Sequence, residues 1–307
     1  MIRPCAVSRF CTVVAVAVIV LLLATGSNIR EGCAQQTSSS VCTYRHLLLI
    51  YPNTDVAYVE NGTTTTFKGN MSAELKTTII DAFKNLPNLI RNGSDDIVNS
   101  TIQIMEISHP TTKITALGSD FYWLNPMDIE QDLELYAPPG AYDSVHVVWH
   151  SGAYSGPKAY FGMGGVFINN DTTTFDSIIG GEAWWWTGLG EVFGEPFLHE
   201  WLHGVCRFYS KLGYQMPEGD ADGATSHGYS KSSTEGWMPY YRDLMRGHVW
   251  EPKVAAFTGI TMEAWARAPT IPELTSIYIL AGAIATTLVF LKFRFKFALR
   301  ESRKPRK

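Results

Sequence analysis

The stretch "EPFLHEWLHGVCRFYSKLG", residues 195–213, restricts the fold more than any other part of the chain. Leu198, Leu202, Val205 and Tyr209 stand at i, i+4, i+7 and i+11, the spacing of one helical stripe. Pro196 suits a first-turn position and Gly213 follows the last turn, so both ends of the helix are signalled. A stripe this apolar has to face a core. A helix turns about 100° per residue, so His199 and His203 lie one turn apart on one face. They border the stripe, and their face is therefore at least half buried.

Two neutral imidazoles in that relation can share a Zn²⁺ ion at roughly 2.0–2.1 Å. Glu200 comes next round the helix. It is poorly placed as a third ligand, but it can take a proton from a water that the metal activates. His-Glu-x-x-His is thus a spacing with a mechanism, provided that it sits on a helix. The plain alternative is a pair of hydrogen-bonded core histidines with no metal. "HEWLH" on an amphipathic helix resembles the active-site helix of the zincin metallopeptidases. The resemblance implies that His199 and His203 bind zinc and that Glu200 is the general base. The metzincin continuation is absent: it needs Gly at 206 and His at 209, where this chain has Cys206 and Tyr209.

A catalytic zinc has three protein ligands and an open position. The segment after the helix, "GYQMPEGDADGATSHGYS", is a turn-rich return loop. Its candidates for the third ligand are His227, taken first because imidazole is a common zinc ligand, and Asp220 or Asp222. A His-His-Asp set would resemble the aspartate-ligand branch of the zincins. Glu235 is a more distant choice, and any of these can equally be a solvated loop residue. Downstream phenols at Tyr229, Tyr240 and Tyr241 could donate to a developing oxyanion, although each is equally a structural residue. Trp184, Trp185 and Trp186 could wall a cleft or pack beneath a glycine-rich loop.

The two ends read as targeting segments. Arg3 and Arg9 precede the apolar run Val13 to Ala24, so residues 1–34 are expected to be a signal peptide. The apolar run at 274–291 has about the length of a membrane span. It is followed by a basic tail, 292–307, which would stay on the cytoplasmic side. An outward-facing domain at 35–270 lies between them. Asn61, Asn70, Asn92, Asn99 and Asn170 each begin Asn-x-Ser/Thr, the acceptor pattern of an exported glycoprotein. Cys42 and Cys206 would be the pair left after cleavage, in an oxidising compartment. Residues 35–270 hold 14 Lys and Arg against 26 Asp and Glu, a net charge of −12. That balance argues against a nucleic-acid partner.

Strands are expected at 46–52, 100–108, 144–150 and 159–168, with helices at 72–90 (Ser72 as cap), 128–136 and 236–247. The expected fold class is α+β: a zincin-like ectodomain with a mixed sheet and the active-site helix, plus one C-terminal transmembrane helix. The expected function is that of a membrane-anchored zinc metalloendopeptidase acting on peptide or protein substrates. The alternatives are a surface-binding or adhesion protein with the same fold and no turnover, and a zinc amidase acting on cell-wall amides.

Overall fold

The computed structural model describes residues 42–118, 121–152, 155–168, 173–181 and 192–267. Its centre is a five-stranded sheet in the order β4-β1-β7-β9-β8. The strands are β1 (Cys42–Tyr51), β4 (Val98–Glu106), β7 (Ser144–Trp149), β8 (Gly162–Ile168) and β9 (Thr173–Ile179). The first four in that order run parallel, and β8 closes one edge antiparallel to β9. Three hairpins lie outside this sheet. They are β2 (Asn53–Glu60) with β3 (Thr63–Asn70), β5 (Thr115–Leu117) with β6 (Phe121–Trp123), and β10 (Val249–Glu251) with β11 (Ala256–Thr258).

Side chains alternate across a strand, so one strand can feed two cores. In β1, Leu48 and Ile50 join Val148 and Ile178 in a core on one side of the sheet. Leu47, Leu49 and Tyr51 join Val145, Val147 and Phe175 in a core on the other. The first core is covered by α1 (Ala73–Gly93), α3 (Glu195–Lys211), α4 (Met238–Arg246) and α5 (Met262–Ala266). On the second side lies Leu133 of α2 (Glu130–Tyr136). Strands β7 and β9 are buried along their whole length, as parallel strands covered on both faces are.

This architecture corrects the expected fold class. The chain is mixed α/β, with a largely parallel sheet and helices on both faces, where α+β was expected. The reason lies in the connections. Strands β1 and β4 pair in parallel with α1 between them in the chain, and parallel neighbours require such a crossover. The expected membrane helix, at 274–291, falls on residues outside those described. Among the described residues, no helix is long and apolar enough to cross a membrane. The signal segment 1–34, the basic tail, Asn170 and the three tryptophans Trp184–Trp186 also lie outside the described residues. Cys42 and Cys206 are both buried in the helix-side core, and no disulfide joins them.

The reading of Ser72 as a helix cap held, since a short-range rule governs it. Ser72 Oγ caps α1, accepting from the Leu75 N–H at 3.1 Å. The β2–β3 hairpin turns on Asn61 and Gly62, at φ +50° and +76°, the backbone that an Asn-Gly turn favours.

Candidate metal centre

Helix α3 lies across the sheet with Phe197, Leu198, Trp201, Leu202, Val205 and Tyr209 buried. Trp201 Nε1 donates to Ser144 Oγ at 3.0 Å, and the hydroxyls of Tyr209 and Tyr44 are 3.0 Å apart. These contacts fix the rotation of the helix. His199 and His203 therefore emerge at its border, facing the return loop, as the stripe implied.

The two Nε2 atoms are 3.2 Å apart. Asp222 closes the set, its Oδ1 being 3.4 Å from His199 Nε2 and its Oδ2 3.6 Å from His203 Nε2. Ligand atoms about 2.0–2.1 Å from a tetrahedral zinc stand roughly 3.3 Å from one another. All three separations are close to that value. Each Nδ1 is occupied on the far side of its ring. His199 Nδ1 lies 2.8 Å from the Tyr241 hydroxyl, and His203 Nδ1 pairs with Asp220 Oδ1. Partners of this kind fix the tautomer and aim the Nε2 lone pair at the metal. The 3.2 Å separation of the two Nε2 atoms is also that of a hydrogen bond between the rings, with the proton in the place a metal ion would take. The donor set fits zinc.

Glu200 belongs to the same cluster, since one ligand atom from each of His199, Glu200 and His203 lies within 4.8 Å of the others. Yet Glu200 Oε1 is 3.9 Å from His199 Nε2, farther than either Asp222 oxygen. Its carboxyl group is turned toward β8 and is buried, only 4 % of the residue being exposed. A backbone hydrogen bond from Gly164 reaches it there. Burial is the largest influence on its proton affinity, which rises to about pKa 8; His203 opposes that rise, and Asp176 and Asp222 add to it. His199 is pushed down to about 4, chiefly by burial and then by His203. Burial alone would lower His203 as well, but the hydrogen bond and charge of Asp220 carry it above its ordinary value.

Beneath Glu200, three strands carry a buried polar chain. His46 Nδ1 and His146 Nε2 are 3.0 Å apart, and His146 Nδ1 is 2.8 Å from Asp176 Oδ2. Burial raises the Asp176 carboxyl and lowers both imidazoles.

Edge strand β8 has a register shift between Met163 and Val166, a bulge occupied by Gly164 and Gly165. A methyl group at Gly162 would overlap Glu200 Oε1, and one at Gly164 would overlap the Glu200 carbonyl oxygen. These glycines let the strand approach the helix closely. Gly162→Ala is expected to displace the Glu200 carboxyl group and lower any hydrolytic rate by at least about tenfold, the scale on which a misplaced catalytic group tells. Zinc content should stay the same. Equal loss of metal and rate would mean that the helix itself had moved.

His227, the first choice for the third ligand, is placed elsewhere. Its Nδ1 is 3.0 Å from the Trp250 carbonyl oxygen and its Nε2 3.1 Å from that of Glu218. Each ring nitrogen thus lies within hydrogen-bond reach of a backbone carbonyl oxygen, one of which accepts from the N–H of the neutral ring, with Glu251 Oε2 3.7 Å away. Glu251 Oε2 also accepts from the Glu218 N–H at 2.9 Å. Together the two side chains anchor both backbone groups of Glu218, just before the aspartate turn Asp220–Asp222. In this structure His227 holds the loop and does not face His199 and His203. Asp220 supports His203, and Tyr240 donates to the Asp220 carbonyl oxygen. Glu235 pairs with Arg242, and the Tyr229 hydroxyl donates to Asp243.

Sequence reasoning missed Gly162, Gly164 and Asp176, all from distant parts of the chain, and named Tyr241 without its contact to His199 Nδ1. One available signal went unused. "GDADG" puts two aspartates at alternate positions in a glycine-bounded turn, which suits one ligand and one supporting carboxylate. Scanned against models of known protein families, the sequence matches none, and no curated protein matches it either.

Proposed function

We propose that this chain is a zinc-dependent hydrolase that cleaves peptide bonds. His199 Nε2, His203 Nε2 and the Asp222 carboxylate would hold the ion. The observation that carries the reading is the close set of two Nε2 atoms, 3.2 Å apart, with one Asp222 oxygen 3.4 Å from the first and the other 3.6 Å from the second, both Nδ1 atoms being engaged from behind. Bound there, zinc would act as a Lewis acid, lowering the pKa of water and polarising a substrate carbonyl.

The chain's own residues account for the remaining work. Glu200 is held beside the ligand pair rather than within it, where it can take a proton from a water in the cleft and return it to the leaving amine. The Gly164 hydrogen bond fixes the orientation of its carboxyl group. Tyr241 and Asp220 keep the two imidazoles turned toward a common point. Tyr241 is itself buried, and that burial, the largest influence on it, holds its phenol neutral.

The test is direct. Full-length protein loaded with zinc and incubated with a mixed peptide library is expected to generate new amino termini. A chelator should stop this, and added zinc should restore it. One zinc per chain with no new termini in any peptide would leave metal binding intact and remove the peptidase reading.

A further inference from the structure

Of the five asparagines that begin Asn-x-Ser/Thr, four lie among the described residues: Asn61, Asn70, Asn92 and Asn99. All four are exposed. Three of these tripeptides have a local structural reason. Asn61 and Gly62 make the β2–β3 turn with their positive φ angles. Ser72, the last residue of the Asn70 tripeptide, caps α1. In the Asn92 tripeptide a methyl group at Gly93 would overlap Met245 Cε, and Ser94 Oγ accepts from the Val98 N–H at 3.0 Å.

The fourth tripeptide, Asn99-Ser100-Thr101, lies inside β4, although asparagine is depleted in strands. Val98, Ile102 and Ile104 of this strand belong to the helix-side core. Asn99, Thr101 and Gln103 alternate with them on the other face and are exposed. Asn99 Oδ1 accepts from the Ser100 N–H at 3.0 Å. Among the described residues, neither Asn99 Nδ2 nor the Thr101 hydroxyl makes a hydrogen bond. The nitrogen and the hydroxyl that define the acceptor pattern are therefore both at the surface and both without a structural task.

The strand itself supplies a second observation. β4 is outermost in the five-stranded sheet, and among the described residues it pairs with β1 alone. A free edge offers unpaired N–H and C=O groups to any other strand, and proteins blunt such edges with charge, proline or a covering group. β4 is nine residues long, holds no proline and carries no charge before Glu106 at its end.

We propose that Asn99 is the attachment point of an N-linked oligosaccharide that covers the free edge of β4. Asn99 Nδ2 would displace the diphosphate of a lipid-linked oligosaccharide donor. One N–C bond forms at the anomeric carbon, the anomeric C–O bond breaks, the diphosphate leaves with the bonding electrons, and one amide proton passes to solvent. The product keeps Oδ1, so the Ser100 hydrogen bond survives the modification. A bulky, hydrated chain on this strand excludes a second strand from its edge. β4 and β8 are opposite edges of the sheet, four strand spacings or roughly 19 Å apart. The glycan therefore stands clear of the cleft at Glu200. The proposal requires that the chain enter a secretory compartment, and it is independent of the peptidase reading.

The test uses the full-length chain expressed in secreting eukaryotic cells. Enzymatic deglycosylation in H₂¹⁸O followed by peptide mass spectrometry should convert Asn99 to ¹⁸O-labelled aspartate in most molecules. On a gel, Asn99→Gln and Thr101→Ala should each run one glycan lighter than wild type, and Thr101→Ser should run with wild type. Sedimentation velocity should show Thr101→Ala and Asn99→Gln self-associating at concentrations where wild type and Thr101→Ser stay monomeric, with thermal midpoints matched across the set. Asn99 recovered unmodified from the wild-type chain overturns the proposal, as does failure of that chain to enter the secretory compartment. Both unglycosylated variants remaining as monomeric as wild type would overturn the role at the strand edge.

Discussion

Glu200→Gln is expected to abolish hydrolysis while leaving zinc and fold in place. The amide has nearly the volume of the carboxyl group it replaces and can still accept the Gly164 hydrogen bond. It cannot take up a proton. Loss of a general base costs about 10²–10⁴-fold in rate. Metal affinity should change far less, because the Glu200 oxygen lies 3.9 Å from His199 Nε2 and outside the donor set. Parallel measurements of kcat and of zinc per chain separate the two effects. A variant with full activity would eliminate Glu200 as the base.

The same substitution has a signature that needs no metal. In the metal-free chain Glu200 is raised from 4.5 to about 8, primarily by burial. A carboxyl group whose folded pKa is raised favours the folded state at low pH and loses that contribution as pH climbs from its unfolded value to its folded one. The metal-free wild type should therefore lose stability between about pH 4.5 and 8. The Gln variant should lack that component of the slope in denaturant titrations at a series of pH values.

The second large effect concerns the third ligand. Asp222→Ala should weaken zinc binding by more than 100-fold, because it removes a direct donor rather than a supporting group. Asp220→Ala should cost about 10–100-fold, as is usual for a residue that orients a ligand. His227→Ala should cost less than either, since it loosens only the Glu218 anchor through which the aspartate turn is held. Competition against a chromophoric chelator ranks the three, with each variant first checked for folding. Intact binding in Asp222→Ala together with lost binding in His227→Ala would require the loop to be rebuilt around a different ligand set.

Much of the helix that carries the site was legible before any coordinates. Its span, its buried stripe and the shared face of His199 and His203 follow from a 3.6-residue period and two end signals, all local. The Ser72 cap belongs to the same class of information, whereas the Asn61–Gly62 turn and its hairpin were not read from the sequence. Strand β9 was overlooked, although it is buried along its whole length beneath the site. Its sequence, "TTFDSII", carries Asp and Ser on opposite faces and so lacks the alternation that marks a half-exposed strand. Only the two cores on either side of the sheet explain why Asp176 and Ser177 are both buried.

The sequence by itself determined the chemistry that this chain can offer: two imidazoles and a carboxyl group at a spacing that a helix turns into a site. Tertiary structure decided which loop residue meets them. His227 and Asp222 sit in one turn-rich segment, and composition ranks imidazole first. The choice depended on where the loop was tied, and the ties come from Glu251 and Trp250 on β10 and from Tyr240 on α4. With the His227 ring lying between the carbonyls of Trp250 and Glu218, Asp222 is the residue left facing the histidines. The glycine approach of β8 to Glu200 is likewise a contact between distant segments. Periodicity records which face of an element is buried, but it holds no information about which distant residue lies against that face.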